Sequence, residues 1–312
     1  MTATYRIDTH THIVPPDYGA WLRRRGVEAG GLPIPDWSVD AALEVMEERK
    51  VRTSVVSVST PGVHFGDDHE ARDMARAVNE YAADVARNHP DRFGFFATLT
   101  LPDVDSAVAE LAYAFDTLKA DGVVLLANTH GEYLGAPEHA PLFDELNRRN
   151  AVVFVHPAQL PGPVAPGIPP YAVDFLLDTT RAATRLVQSG TMQRCPNIKV
   201  ILSHAGGFVP YAAHRIAVTT SPTGVRGALA QLKNFYYDTA LSSSPAALPS
   251  LLAFAEPDHV LFGSDWPHAP KQVGGLFESM YEQYPLSEAQ RASIDRGAAE
   301  SLFSRFAARL IR

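Results

Sequence analysis

The sequence predicts an α/β fold, namely a single (β/α)8 TIM barrel over residues 1–312 with eight parallel strands and an additional C-terminal helix. Short runs of β-branched residues alternate with longer amphipathic segments, which is the pattern of parallel strands joined by helices. Eight such units in 312 residues match the size of one such barrel. A doubly wound open sheet is the structural alternative, but no G-x-G-x-x-G or P-loop motif follows the first predicted strand.

Eight segments are predicted to be strands because they are short and rich in apolar and β-branched residues. Several are almost entirely apolar, as expected for parallel strands that are covered on both faces. The predicted strands are Tyr5–His12, Thr53–Ser59, a segment within Arg92–Leu101, Gly122–Ala127, Ala151–His156, Lys199–His204, Phe235–Leu241 and His259–Asp265.

Longer segments between these strands are predicted to be helices. Ser38 and Asp103 are candidate N-caps, and Pro90 stops the helix that ends at Asn88. Residues 13–37 and 160–170 are rich in proline and glycine and are predicted as loops, the second of which covers a site. The predicted helices are Ser38–Lys50, Asp68–Asn88, Asp103–Ala120, Pro137–Asn150, Tyr171–Gly190, Phe208–Val218, Pro245–Ala255, Lys271–Tyr284 and Ser287–Ile311.

The composition excludes several classes of protein. The 27 basic and 35 acidic residues give a net charge of -8, and no cluster of lysine and arginine indicates nucleic-acid binding. A single cysteine, Cys195, excludes an internal disulfide framework. The sequence contains no recognisable signal peptide and no apolar run of eighteen residues. We therefore expect a cytoplasmic protein that binds neither nucleic acid nor a membrane.

Histidines and an aspartate stand at the ends of four predicted strands. His10 and His12 end the first strand, His156 the fifth, His204 the sixth and Asp265 the eighth. Taken singly, a histidine here is often a buried core residue, and an aspartate often caps a helix. In (β/α)8 barrels, however, the C-terminal ends of the strands meet at one rim and carry the chemistry. The five residues together therefore predict a functional site.

The residue types at this rim predict a metal site. Two histidines at i and i+2 on a strand point to the same face about 7 Å apart, so both imidazoles can reach one ion. Histidines with a carboxylate suit Zn²⁺, and Mn²⁺ or Fe²⁺ are alternatives. Five candidate ligands are more than a tetrahedral ion that keeps one position open can hold. We expect His204 to be the additional acid or base.

In combination, these motifs resemble the amidohydrolase superfamily. Ser203–Gly207 (SHAGG) and Gly263–Pro267 (GSDWP) are similar to its decarboxylase branch. That branch includes aminocarboxymuconate-semialdehyde decarboxylase and the resorcylate and 6-methylsalicylate decarboxylases. Ser59–Phe65 and Pro141–Phe143 look closest to the 6-methylsalicylate decarboxylase-like group. The resemblance implies the catalytic histidine His204 and the metal ligands His10, His12, His156 and Asp265.

The resemblance also bears on metal number and assembly. Binuclear amidohydrolases usually carry a carboxylated lysine at the end of strand four, where this chain has Leu126–Asn128, so one metal is implied. Arg215 stands eleven residues after His204. In the muconate-semialdehyde enzymes an arginine at that offset reaches the substrate of the neighbouring subunit, which implies a homodimer. A surface helix residue is the alternative, and the substrate arginine after strand two of those enzymes has no counterpart here.

The expected reaction is non-oxidative decarboxylation of a small aromatic or unsaturated carboxylic acid, such as an ortho-hydroxybenzoate like a methylsalicylate. A metal that chelates the carboxylate and the ortho oxygen fixes the substrate, and an acid then protonates the ring. Asp265 is the donor by resemblance to resorcylate decarboxylases, and His204 by resemblance to the muconate-semialdehyde branch. A metal-dependent hydrolase of an amide or lactone and a metal-binding protein without turnover are the alternatives.

Further residues near the rim are candidate substrate contacts. His268 lies three residues past Asp265, and aromatic side chains there could stack on a ring. Each of these residues taken alone is more often structural or exposed. The candidates are His64, Phe65, His130, Tyr171, Trp266 and His268.

Overall fold

The computed structural model describes residues 5–220 and 223–307. Within these residues, eight parallel strands form one sheet whose order follows the chain, and we label them β1 to β8. The strands are β1 Arg6–His12, β2 Val51–Ser57, β3 Phe93–Thr98, β4 Gly122–Leu126, β5 Val152–His156, β6 Lys199–Leu202, β7 Tyr236–Asp238 and β8 Val260–Leu261.

Backbone hydrogen bonds just beyond β8 close the sheet against β1. The N–H of Thr9 donates to the carbonyl of Phe262 (3.0 Å), and the N–H of Ser264 donates to the carbonyl of His10 (3.1 Å). Gly263 permits this close approach, since a Cβ there would lie 2.7 Å from the Cβ of His10. The predicted barrel is confirmed, and the open doubly wound sheet is wrong.

Helices cover the outside of the barrel, and most lie where the sequence predicts them. Ser38 accepts a hydrogen bond from the N–H of Ala41 (3.2 Å) and Asp103 from that of Ser106 (3.1 Å), as expected of N-caps. None of the helices in the described part of the chain has the length and apolar character needed to cross a bilayer. The helices are Pro16–Arg24, Val39–Glu48, Asp68–Asn88, Val104–Tyr113, Ala140–Arg148, Asp174–Gln188, Thr191–Arg194, Val209–Thr220, Gly224–Lys233, Ala247–Phe254, Lys271–Gln283, Glu288–Ala292, Ala298–Leu302 and Ser304–Ala307.

Several short elements, including the helix Thr191–Arg194, lie where the sequence predicts none. Pro16–Arg24 is a helix within the predicted first loop; it starts with a proline, which suits a first helical turn, and buries Trp21 and Leu22. Gly224–Lys233 adds a second helix after β6. Residues 128–133 form a tight antiparallel hairpin directly after β4.

Predicted strands seven and eight are too long. Regular pairing ends at Asp238 in β7 and at Leu261 in β8. Leu241 and Asp265 have left-handed φ values of 49° and 61°. These values are incompatible with the extended backbone of a β-strand. The predicted helix Ser287–Ile311 is interrupted by π-helical and irregular turns, and its last residues lie outside those described.

Apolar side chains fill the interior of the barrel. The C-terminal helices close its N-terminal end, where Phe303 packs on Phe96 of β3. Phe96 stacks on Phe154 of β5, and the ring of Phe154 in turn lies 4.9 Å from that of His10. The apolar core of the barrel therefore ends at Phe154, and polar side chains occupy the C-terminal end of the barrel.

Candidate metal centre

Five predicted site residues meet at the C-terminal end of the barrel. His10, His12, His156, His204 and Asp265 are all buried. The Oδ1 of Asp265 lies 3.3 Å from the Nε2 of His10 and 3.0 Å from the Nε2 of His12. Its Oδ2 lies 3.2 Å from the Nε2 of His204. The barrel therefore brings residues from four distant parts of the chain into contact around one carboxylate.

Hydrogen bonds at Nδ1 fix the orientation of three of these imidazoles. An Nδ1 that donates leaves a lone pair on Nε2, which is the form that binds a metal ion. Partners of this kind are typical of metal-binding histidines. The three bonds run from His10 to Oδ2 of Asp238 (2.8 Å), from His12 to the carbonyl of Ser57 (3.3 Å) and from His156 to the carbonyl of Pro157 (2.9 Å).

The electrostatics of the site fit a divalent cation. Within residues 5–220 and 223–307, the buried Nε2 of His10 makes no hydrogen bond, although Oδ1 of Asp265 lies 3.3 Å away. Burial lowers the pKa of His10, but the carboxylates of Asp238 and Asp265 outweigh burial and raise this pKa to about 10. The site therefore favours a positive charge, whether a proton or a metal ion. Burial and the neighbouring imidazoles hold the pKa of His156 well below its usual range, so His156 is neutral, as a ligand must be.

The distances show one set of four neighbouring ligand atoms, and the contact of His12 with Asp265 makes His12 a candidate for a second set. One ligand atom from each of His10, His156, His204 and Asp265 lies within 4.8 Å of the others. His12 is equally close to Asp265. The hydrogen bonds at Nδ1 distinguish His12 from His204 as the fourth ligand. The Nδ1 of His12 is hydrogen-bonded to a backbone carbonyl, whereas the buried Nδ1 of His204 has no hydrogen-bond partner among the described residues. We therefore expect His12 to be the ligand and His204 to remain available for proton transfer.

The segment after β6 holds His204 in a strained backbone conformation. His204 and Ala205 have left-handed φ values of 52° and 55°, which side chains other than glycine rarely adopt. Gly206 and Gly207 continue this turn at 71° and 62°. A Cβ on Gly207 would lie 2.0 Å from the carbonyl oxygen of Leu176, so only glycine fits there. The two glycines of the SHAGG motif thus allow the sharp turn that presents His204 at the rim.

Asp238 is a buried carboxylate that is absent from the predicted site residues. Its Oδ2 accepts the hydrogen bond from His10, and its Oδ1 accepts the backbone N–H of His204 (3.0 Å) and of Ala240 (2.9 Å). A single side chain thus orients both an expected metal ligand and the expected acid–base residue. The signal in the sequence is the one used for the other residues, namely a polar side chain at the end of an apolar strand.

Replacing Asp238 with asparagine should weaken metal binding by about 10- to 100-fold. An amide NH2 facing His10 donates to Nδ1, which moves the ring proton to Nε2 and removes the lone pair that would bind the metal. Competition titration with a chelator measures the metal affinity. Asp36→Asn is the matched control, because that side chain is fully exposed. An affinity for Asp238→Asn within twofold of the unsubstituted protein would contradict this role.

A cavity of about 510 Å³ lies among the segments that follow β2 to β5, and the five central side chains are not among its lining residues. Leu126, which lines the cavity, is the register partner of His156 across β4 and β5. The Oγ of Ser59, in the loop that lines the cavity after β2, lies 3.4 Å from the Nε2 of His156. Residues 160–162 of the predicted covering loop also line it. Three of the predicted substrate contacts are lining residues, His64, Phe65 and His130.

The other predicted contacts lie in different surroundings. The ring of His268 lies 5.2 Å from that of His12, and burial lowers the pKa of His268 to about 3. The side chain of Trp266 packs against the apolar core, while its carbonyl accepts the N–H of His12 (2.7 Å). Tyr171 and Arg215 are exposed rather than buried at the centre. Among the described residues, the ring of His268 therefore lies beside the central histidines, whereas Tyr171 and Arg215 are exposed.

Comparison with known proteins identifies relatives over nearly the full chain. A family model described as amidohydrolase matches residues 7–305. Decarboxylase macB of Penicillium terrestre is 38% identical over 96% of this chain and 95% of its own length. The 6-methylsalicylic acid decarboxylase of Penicillium expansum is 38% identical over 96% of each chain. A crystal structure described as amidohydrolase II superposes with a TM-score of 0.91 at 30% identity, over 96% of this chain and 99% of that chain.

Proposed function

The chain belongs to the amidohydrolase family, and from that membership and the site described above we propose that it is a metal-dependent decarboxylase of a hydroxybenzoate. The observation that carries this function is 38% identity to a 6-methylsalicylic acid decarboxylase over 96% of the chain. The buried group of histidines and aspartate supplies the place for a divalent metal. A hydrolase of an amide or lactone is not favoured, because both relatives described above are decarboxylases.

The chemical difficulty of the reaction is the aryl carbanion that forms if CO2 leaves first. Adding a proton to the ring carbon that carries the carboxylate avoids this carbanion. The electrons of the broken C–C bond then return to the ring as CO2 departs, and aromaticity is restored. When bound, a metal fixes the substrate carboxylate and its ortho oxygen and neutralises their charge. We propose that its ligands are His10, His12, His156 and Asp265.

Asp265 and His204 are the proposed proton-transfer pair. The Oδ1 of Asp265 faces His10 and His12, whereas its Oδ2 lies 3.2 Å from the Nε2 of His204. One carboxylate can therefore bind a metal on one side and share a proton with an imidazole on the other. Whichever member of the pair delivers the proton to the ring carbon, the other stabilises the charge that remains. Burial of both groups keeps bulk water from competing for this proton.

We further propose that the metal is zinc, because three histidines and one carboxylate are a common set of ligands for Zn²⁺. Elemental analysis of protein purified without added metal tests this choice. Manganese or iron in place of zinc would contradict it while leaving the decarboxylase intact.

We also propose a single-domain chain that acts as a cytoplasmic homodimer, in which Arg215 reaches the substrate carboxylate of the partner subunit. Arg215 lies on the helix Val209–Thr220, on which Tyr211 and Val218 are 88% and 66% exposed. Two exposed apolar side chains on one helix are suited to an interface. Light scattering should give twice the mass of the chain, and a monomer would contradict the dimer.

Cell fractionation tests the proposed cytoplasmic location. A single cooperative unfolding transition is expected if the chain is one domain.

Release of CO2 from a panel of hydroxybenzoates that includes 6-methylsalicylate tests the proposed function. We expect release by the metal-loaded protein, a loss of about a thousandfold or more on chelation, and recovery when metal is added back. Hydrolysed products without CO2 would contradict the proposal. Turnover of no member of the panel would favour a metal-binding protein without catalysis.

A further inference from the structure

Asp178 is a buried carboxylate outside the group of five central side chains. It lies on the helix Asp174–Gln188, between β5 and β6, and is fully buried. In the described part of the chain, this carboxylate accepts hydrogen bonds from three donors, which suits an ionised group that can only accept. The donors are the N–H of Ala158 (2.8 Å), the side-chain amide of Asn128 (2.9 Å) and the hydroxyl of Tyr133 (2.8 Å).

The peptide group between Pro157 and Ala158 joins this carboxylate to the metal centre. Its N–H donates to Oδ2 of Asp178. Its carbonyl, which points the opposite way in a trans peptide, accepts from the Nδ1 of His156 at 2.9 Å. A carbonyl cannot donate, so Nδ1 carries the proton of the neutral imidazole. One peptide group therefore connects Asp178 to His156.

The two hydrogen bonds of this peptide group reinforce each other. A carboxylate that accepts from the N–H polarises the peptide group, so its carbonyl becomes a stronger acceptor. The carbonyl then holds the proton of His156 on Nδ1 and leaves the lone pair on Nε2, as a metal ligand requires. The same contact fixes the plane of the peptide group, and thereby the direction in which the imidazole points.

The remaining contacts of Asp178 hold the hairpin after β4. Asn128 and Tyr133 form the register pair at the open end of this hairpin. The amide of Asn128 also donates to the carbonyl of Gln159 at 3.1 Å. The hydroxyl of Tyr133 bonds Oδ1 of Asp178, whereas Ala158 bonds Oδ2. The contact with Tyr133 can therefore be removed while the contact that leads to His156 is kept.

We propose that Asp178 is a positioning residue for His156, which acts through the peptide group between Pro157 and Ala158 and raises the affinity of the centre for its metal. This inference rests on the proposed function in one respect, namely that His156 is a ligand. Asp238 orients His10 by direct contact. Buried carboxylates thus orient two of the four proposed ligands, one directly and one through the backbone.

Competition titration with a chelator tests the inference on Asp178→Asn and Tyr133→Phe. Asparagine offers one acceptor oxygen in place of two and turns an NH2 toward the surrounding donors, which weakens the bond to Ala158. We expect the metal affinity of Asp178→Asn to fall about tenfold, the lower end of the range for partners of a metal ligand. Tyr133→Phe should keep the affinity of the unsubstituted protein. Equal losses in the two variants, or no loss in Asp178→Asn, would overturn the inference.

Nitrogen NMR of metal-free protein labelled at its histidines gives a readout that a loss of stability alone would not move. His156 should carry its proton on Nδ1 in the unsubstituted protein and in Tyr133→Phe, and Asp178→Asn should add the Nε2-protonated form. An unchanged tautomer in Asp178→Asn would contradict the inference.

If Asp178→Asn does not fold, the unsubstituted protein supplies the test. Addition of Zn²⁺ should move the amide proton of Ala158 downfield, because an imidazole that binds a metal is a stronger donor to the carbonyl of Pro157. An amide proton that does not move would contradict the coupling.

His156→Ala separates this inference from the ligand assignment on which it rests. Retained metal in His156→Ala would contradict the proposed ligand set. Metal loss in His156→Ala with normal affinity in Asp178→Asn would contradict the role of Asp178 alone. None of these measurements uses CO2 release, so a failure of decarboxylation would leave the inference standing.

Discussion

Replacing His10 or His12 with alanine should remove the bound metal and lower CO2 release by about a thousandfold or more, while the barrel stays folded. Both imidazoles turn their Nε2 atoms toward Asp265, and both are fully buried at the rim. Truncating either leaves three of the four proposed ligands. Metal content by mass spectrometry, together with circular dichroism, measures the two effects separately.

Folding should survive these substitutions because the barrel interior is built from other residues. The apolar layer of Phe96 and Phe154 lies below the histidines, and the C-terminal helices seal the opposite end. His69→Ala provides the control for loss of a histidine at an exposed position. Retained metal stoichiometry in both the His10 and His12 variants would break the assignment of the metal centre.

Replacing His204 with alanine should leave one metal per chain but lower kcat by about 10²- to 10⁴-fold, the range for loss of a general acid or base. The reason is the difference between His204 and the proposed ligands. The Nδ1 of His204 makes no hydrogen bond within the described part of the chain. Its Nε2 contacts Oδ2 of Asp265, the carboxylate oxygen that faces away from His10 and His12. Metal analysis and single-turnover kinetics on the same preparation separate binding from chemistry.

The two possible ligand sets give opposite results in this experiment. If His204 rather than His12 completes the set with His10, His156 and Asp265, then His204→Ala loses the metal and His12→Ala keeps it. Metal loss from His204→Ala would therefore overturn the assignment of His204 to proton transfer.

Much of the site could be predicted from the sequence because polar residues end apolar strands. His156 follows the apolar run Ala151–Val155 and His204 follows Val200–Ser203, whereas His10 ends a strand that also contains Arg6 and Asp8. Once a parallel barrel is predicted, the ends of these runs must meet at one rim. Asp238 follows the same rule, but the predicted seventh strand extends to Leu241 and conceals where regular pairing ends.

Other features depend on contacts that no local pattern encodes. The helix Pro16–Arg24 lies in a segment whose prolines and glycines indicate a loop, and it forms because Trp21 and Leu22 bury against the barrel. The contact between His64 and His130 joins two loops that are 66 residues apart in the chain. The hydrogen bonds of His64 with Gly66 and Asp68 are local, so the contact with His130 is the part that only the folded chain brings together.

Turnover in D2O, followed by mass spectrometry and NMR of the product, tests metal-dependent decarboxylation most directly. With 6-methylsalicylate and metal-loaded protein, we predict a phenol that carries one deuterium on the carbon that previously held the carboxylate. The chelated protein should give none of this product. A product without deuterium at that carbon, or a hydrolysed product that retains the carboxylate, would contradict ring protonation and the loss of CO2.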